Sequence, residues 1–594
     1  MLKSIQTLYR GFDAIRRLIL NVGFLLTVFI LGAFFWFGTQ TGSIEKGSLL
    51  RIDLAGDLVE TLPEADRNFL RKLVGNDFRG ETRLIDVVDA LELAARDPRI
   101  AGVVLGLGDL TGAGMAGIRE LGLAIDRYRE VSGKKVWAWS PSYTQAQYLV
   151  GMHADHLAVH PMGTVELKGL SSTSLYFGRF FDFFGIEPSV RKAGAFKSAP
   201  EVLTAEEPSR ENLLAQKSYM DEAWQGLTAD IEKSRSLEKG SVSSYLEGFS
   251  DALDNQSSLM ETLREKGYLD AVESWETFEN MLASAYSKSG KTQDIFTIDY
   301  VDYLNFHPLS NLNAPGVGVI VLEGQIAQMP EAGSVTPDRV AMLLSDAASD
   351  PHVKALLLRI NSPGGDAVAS EMIRSSIEAF KTEKKIPVVV SMGDAAASGG
   401  YWIATVGDKI VADPYSITGS IGVFAMTFHA ETLLDRLDIG RGGYRTSPVA
   451  DMGRPFSGPS ELENRWIDHE VNRTYRIFKK LVGDARSMSP EAVESVAQGR
   501  VWMGTQALEN GLVDRLGGYD EAMKLAIELA SLPEDACSVR FEQKPDGMKA
   551  VLMSLLQASG GHDLAAWINA KTEWDALLAM SGKPLVRLAV EPTL

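Results

Sequence analysis

In the second half of the chain, short apolar runs alternate with stretches in which apolar residues recur every three or four positions. "GVGVIVLEG" (316–324), "KALLLRI" (354–360), "IPVVVSM" (386–392) and "DKIVAD" (408–413) are brief, β-branched and bounded by turn residues. That pattern predicts buried strands. "VAMLLSDAASD" (340–350) and "ASEMIRSSIEAFKTEKK" (369–385) carry the helical period instead. A β-α-β-α succession of this kind implies a largely parallel sheet covered by helices, an α/β fold.

The same succession occurs earlier in the chain, at a fixed offset of 253. "ARDPRIAGVVLGL" (95–107) aligns with "ASDPHVKALLLRI" (348–360), and "YLVGMHADHLAVHP" (148–161) with "YWIATVGDKIVADP" (401–414). Asp97, Tyr148, Asp155 and Pro161 thereby fall on Asp350, Tyr401, Asp408 and Pro414. "LLRIDLAG" (49–56) matches "GVIVLEG" (318–324) once about fifteen extra residues are allowed in the first half. Self-similarity at one offset is the mark of a duplication. It predicts tandem domains over 47–300 and 316–540, with a further helical stretch near 460–495 and a tail over 541–594.

One segment departs from the globular pattern. "LILNVGFLLTVFILGAFFWF" (18–37) holds no charge for twenty residues, long enough to cross a bilayer as a helix. Lys3, Arg10, Arg16 and Arg17 precede it. The excess of positive charge predicts a cytoplasmic N-terminus (1–17), an anchor over 18–38 and a body on the far side of the membrane. The alternative, a cleaved signal peptide, expects a shorter apolar core and a small-residue cleavage site.

A length of 594 residues requires more than one core. The formal charge of −19 argues against nucleic acid as a partner, because a binder needs a cationic footprint. A single cysteine, Cys537, excludes an internal disulfide.

Two Gly-rich loops follow strands of the second repeat: "NSPGG" (361–365) and "GDAAASGG" (393–400). In a parallel sheet both open on the edge where ligands bind. Ser398 opens an apparent helix, and the amides of Gly364, Gly365 and Gly399 are suited to hold an oxyanion. Each loop alone reads more readily as a tight strand–helix connection, and the two on one edge leave Ser398 evenly balanced between packing residue and nucleophile.

A nucleophilic serine needs a base. His429 lies downstream and reads as a structural histidine. His153, His156 and His160 form a tempting metal triple, but their repeat counterparts are Val406, Lys409 and Asp413, and no metal site is expected. Lys197, in "RKAGAFKSAPE" (191–201), is flanked by small and apolar residues, and its counterpart is Ala450. Ser398 in turn corresponds to Gln145. Each repeat holds the group the other lacks. On local sequence alone, Lys197 is one more solvated lysine.

These residues, together with "AAASGGYWIA", "ADPYSITGSIG" and "GRVWMGTQALENGLVD", resemble the signal peptide peptidase A (protease IV) family in its long, duplicated, membrane-anchored form. The resemblance covers nearly the whole chain. It implies tandem crotonase/Clp-protease-like domains, with Ser398 as nucleophile, Lys197 as general base and Ser420 orienting the lysine amine. It further implies peptide substrates derived from exported proteins, no cofactor, and a ring-shaped homo-oligomer such as a tetramer. The bacterial inner membrane, with the body on the periplasmic side, is the expected location. A free lysine has a pKa near 10.4, so roughly one in 2,500 is neutral at pH 7. Action as a base therefore predicts a dry Lys197 pocket without Asp or Glu. Two rivals share the fold: an acyl-CoA hydratase or hydrolase, and an inactive scaffold.

Overall fold

A computed structural model describes residues 44–62, 80–254, 259–307, 314–331 and 333–542. The anchor expected over 18–38, and all but the first two residues of the tail expected over 541–594, lie outside the described residues. Among those described, no helix is long and apolar enough to cross a membrane. Lys46–Thr61 and Glu81–Gln543 form one compact unit that contains both repeats.

The first repeat runs β1 (Ser48–Val59), α1 (Leu84–Arg96), β2 (Ile100–Gly112), α2 (Met115–Ser132), β3 (Val136–Ser140), α3 (Gln145–Gly151) and β4 (His156–Val159). The four strands pair in that order, all parallel. The chain then makes β5 (Glu187–Ala193) and the long helix α4 (Arg210–Ser234). The second repeat runs β6 (Gly316–Glu323), α5 (Pro337–Ser349), β7 (Val353–Ser362), α6 (Ala367–Lys384), β8 (Val388–Ala397), α7 (Gly399–Ala404) and β9 (Lys409–Ala412). Its strands also pair in order and in parallel. β4 and β9 begin at 156 and 409 and end at 159 and 412, so the sequence offset of 253 holds residue for residue there.

The strands of the second sheet are mostly apolar because both faces are covered. Ile320, Leu322, Leu356, Leu358, Val388 and Val390 face one core, which holds Val340 and Leu343 of α5 and Ile373 and Ile377 of α6. Val317, Val319, Leu357 and Val389 point the other way, against Ala522, Leu525 and Ala526 of a helix over Tyr519–Leu529. The side-chain period of two along each strand divides them so.

Beyond β9 come β10 (Ile417–Gly419), β11 (Val423–His429), the helix α8 (Glu461–Arg486) and β12 (Val501–Met503). The helical stretch expected near 460–495 is α8 and a short helix at Pro490–Val496. β11 does not join the main sheet. It pairs antiparallel with β5 from the first half, from Val423↔Ala193 to His429↔Glu187.

Candidate active site

That ribbon brings the two halves of the site together. Lys197 lies four residues past Ala193, and Ser420 three residues before Val423, so pairing of those strand ends sets the two side by side. Lys197 Nζ is 2.9 Å from Ser398 Oγ, 2.9 Å from Ser420 Oγ and 3.1 Å from the Ser420 carbonyl oxygen. The lysine is 5% exposed. Burial, which penalises the ammonium, pulls its pKa from 10.5 down to about 8. Among the described residues it has no carboxylate partner.

The loop carrying the lysine sits on a segment just before β12. Phe196 N–H donates to the Gln498 carbonyl, and Ala195 N–H to Gln498 Oε1. Gly499 has φ +76°, and a Cβ there would lie 2.7 Å from Lys197 N. Only glycine fits this close approach. Sequence reasoning gave Gln498 and Gly499 no role, although the glycine in "GRVWMG" was a signal for such a contact.

Ser398 stands between β8 and α7, as the N-cap residue of the helix. Its backbone is at φ 53°, ψ −116°, a conformation rarely taken by residues other than glycine. Its own N–H donates to the Gly419 carbonyl at 2.9 Å, and its carbonyl accepts from Trp402 N–H, which hold it there. Strain over-determined by its surroundings in this way is a mark of functional positions. The "NSPGG" loop packs directly against the serine. Gly364 and Gly365 have φ +108° and +152°, and a Cβ on Gly364 would lie 2.7 Å from Gly399 N. The Gly364 N–H donates to Ser362 Oγ at 3.2 Å. The Gly365 and Gly399 N–H groups have no acceptor among the described residues, and a Cβ on Gly399 would lie 3.2 Å from Gly365 N.

In the first repeat the equivalent place is filled. Gln145, opposite Ser398 in the alignment, accepts from Lys168 N–H and Gly169 N–H and donates to the Gly169 carbonyl. Gln147, opposite Gly400, donates to the Leu110 carbonyl. The first repeat thus spends its polar groups on itself.

The histidines lie elsewhere. His429 bonds Thr427 Oγ1 and the Ser457 carbonyl at the end of β11 remote from Lys197. His153 contacts Asp126, His156 contacts Glu273, and His160 lies edge-on to Trp139, so the three do not converge. Among the described residues no group of three or more His, Cys, Asp or Glu could hold a metal ion.

Comparison with known proteins follows the same outline. The model of "Peptidase family S49" matches residues 129–281 and 380–533, once in each repeat. "Protease 4" of Salmonella typhi is 33% identical over 595 residues, covering 96% of this chain and 95% of that one. "Protease 4" of Haemophilus influenzae is 32% identical, covering 89% and 87%. "Serine protease SPPA, chloroplastic" of Arabidopsis thaliana is 28% identical, covering 82% and 70%.

Proposed function

The chain belongs to peptidase family S49, and on that premise we propose that it is a membrane-anchored endopeptidase working through a Ser398/Lys197 dyad. As a serine peptidase of the signal peptide peptidase A type it hydrolyses peptide bonds. The observation that carries the dyad is the 2.9 Å contact between Lys197 Nζ and Ser398 Oγ in a pocket where burial alone lowers the lysine pKa to about 8. Near neutrality about one lysine in ten is then uncharged, against one in thousands for a solvated lysine.

Neutral Lys197 takes the Ser398 hydroxyl proton as Oγ attacks the substrate carbonyl carbon. The carbonyl oxygen becomes an oxyanion held by the Gly365 and Gly399 amides, with Gly364 shaping the loop through its bond to Ser362. The ammonium returns the proton to the departing amine, the C–N bond breaks and an acyl-enzyme remains. Water attacks this ester with the same lysine as base, releasing the acid and restoring Ser398. Ser420 Oγ keeps the amine aimed at the serine.

Of the alanines before the serine only Ala395 is partly exposed, and with the loop glycines it leaves the room that suits extended peptides with small or apolar side chains. Signal peptides left at the membrane after export fit that description, and the uncharged run at 18–37 would hold the body beside them. A periplasmic body on the inner membrane and a homotetramer-like ring complete the reading. Exposed Phe183, Trp466 and Tyr444 offer apolar contact surface for such an assembly.

The test is cleavage of a fluorogenic Leu/Ala-rich peptide by wild type, Ser398→Ala and Lys197→Ala across pH 6–10. Loss of activity in both variants supports the dyad. An active Lys197→Ala beside an inactive Ser398→Ala rejects the lysine as base, and an active Ser398→Ala rejects the whole assignment.

A further inference from the structure

Strand β8 bulges just ahead of Ser398. A two-residue advance on β7, from Ile360 to Ser362, faces a four-residue advance on β8, from Met392 to Ala396. Bulges beside active sites re-aim the side chains that follow, and their unpaired polar groups need partners outside the ladder. Two partners are local. Asn361 Oδ1 accepts from Ala395 N–H at 3.1 Å, and Ser416 Oγ donates to the Gly393 carbonyl at 2.6 Å.

A third contact, made by a side chain of the bulge, reaches the other repeat. The Asp394 carboxylate leaves the sheet and accepts the Gly117 N–H, in the first turn of α2, at 3.1 Å. That helix begins after Gly114, which supplies no capping side chain, so Asp394 does the capping from across the repeat boundary. Room for it depends on glycine, since a Cβ at Gly114 would lie 2.0 Å from Asp394 Cγ. Behind the bulge, Arg359 is 1% exposed and reaches the same boundary. It donates to Ser391 Oγ and the Met392 carbonyl on β8, and to Glu60 and Glu120 of the first half.

The geometry points to Asp394 as a positioning residue: by capping α2 of the first repeat, it fixes the bulge that aims Ser398 Oγ at Lys197 Nζ. The first repeat, with glutamine where a nucleophile would stand, therefore contributes to the reaction a second time, beyond its lysine. This rests on the reading of Ser398 as nucleophile.

The experiment uses the full chain and compares wild type, Asp394→Ala, Asp394→Asn and Ser398→Ala. Active sites are counted with a fluorophosphonate probe, so that kcat refers to folded enzyme only. Misplacing the nucleophile by about 1 Å in Asp394→Ala should lower kcat per site and the phosphonylation rate together, by about 10- to 100-fold. KM should stay within about twofold, because the bond acts on the reacting atom and not on substrate binding. Asparagine keeps an oxygen for the Gly117 N–H, and Asp394→Asn should recover most of the rate. Should Asp394→Ala fail to fold, Gly114→Ala displaces the carboxylate from the other side and should show the same loss. Unchanged kcat per site and phosphonylation in the altered protein, even with a lower melting temperature, reduces Asp394 to a structural cap and overturns the proposal. An Asp394→Asn variant as slow as Asp394→Ala overturns it too, because charge and not capping would then matter. Activity surviving in Ser398→Ala instead overturns the nucleophile assignment, a separate failure.

Discussion

Replacing Lys197 by methionine removes a charge from a buried pocket while keeping the length of the side chain. In the folded protein Lys197 is 5% exposed, its ammonium meets only neutral oxygens, and its pKa falls from 10.5 to about 8. That difference of 2.5 units, at 1.36 kcal/mol per unit, makes the charged lysine cost about 3 kcal/mol of folding free energy at pH 7. The unfolded lysine keeps its proton up to about pH 10.5, whereas the folded one releases it near 8, so unfolding takes up a proton between these limits. Stability therefore rises with pH across this window, and by pH 10 less than about 1 kcal/mol of the cost remains. Methionine escapes the cost but leaves two serine hydroxyls without their partner, which offsets about 1 kcal/mol. Lys197→Met should thus be more stable than wild type by about 2 kcal/mol at pH 7, and the gap should close near pH 10. Urea unfolding followed by tryptophan fluorescence at pH 7, 8.5 and 10 measures it, and titrations common to both proteins cancel in the difference. A gap that stays constant from pH 7 to 10 would refute the account of the lysine as desolvated.

Two further outcomes follow from close contacts. Gly499→Ala adds a Cβ 2.7 Å from Lys197 N at a φ of +76°. It should lower stability by about 1–3 kcal/mol and shift the acidic limb of the kcat/KM profile away from pH 8, which a pH–rate series would detect. Arg359→Met strands Glu60 and Glu120 as buried carboxylates without their cation. It should destabilise by about 3–5 kcal/mol in urea, whereas a triple variant that adds Glu60→Gln and Glu120→Gln should regain much of the loss.

The parallel sheets were legible because both faces are buried, which leaves apolar runs that periodicity detects, and because the duplication writes each pattern twice. Lys197 was legible for a related reason: comparing the repeats exposed which half had kept which group. The β5–β11 ribbon was not, since its partners lie more than 200 residues apart and alternation within each strand names no partner. Arg359 shows a signal that went unread. A lone arginine inside "KALLLRI" must be paired if the strand is buried, yet local sequence could not say that its carboxylates stand at 60 and 120. Asp394 was obscured likewise, as part of a loop whose alanines and glycines drew the reading toward the serine alone.

The seat of Lys197 has a consequence for the timing of activity. The lysine leaves the ribosome 201 residues before the serine, and the loop that holds it rests on Gln498 and Gly499, another hundred residues on. A growing chain therefore lacks the complete seat of Lys197 until five-sixths of it has been made. A chain released before residue 498, by a stop codon or a stalled ribosome, lacks that seat whatever fragment of the fold it attains. On the proposed dyad, hydrolysis must wait for that seat, so synthesis itself serves as a restraint of the kind a pro-segment would otherwise supply.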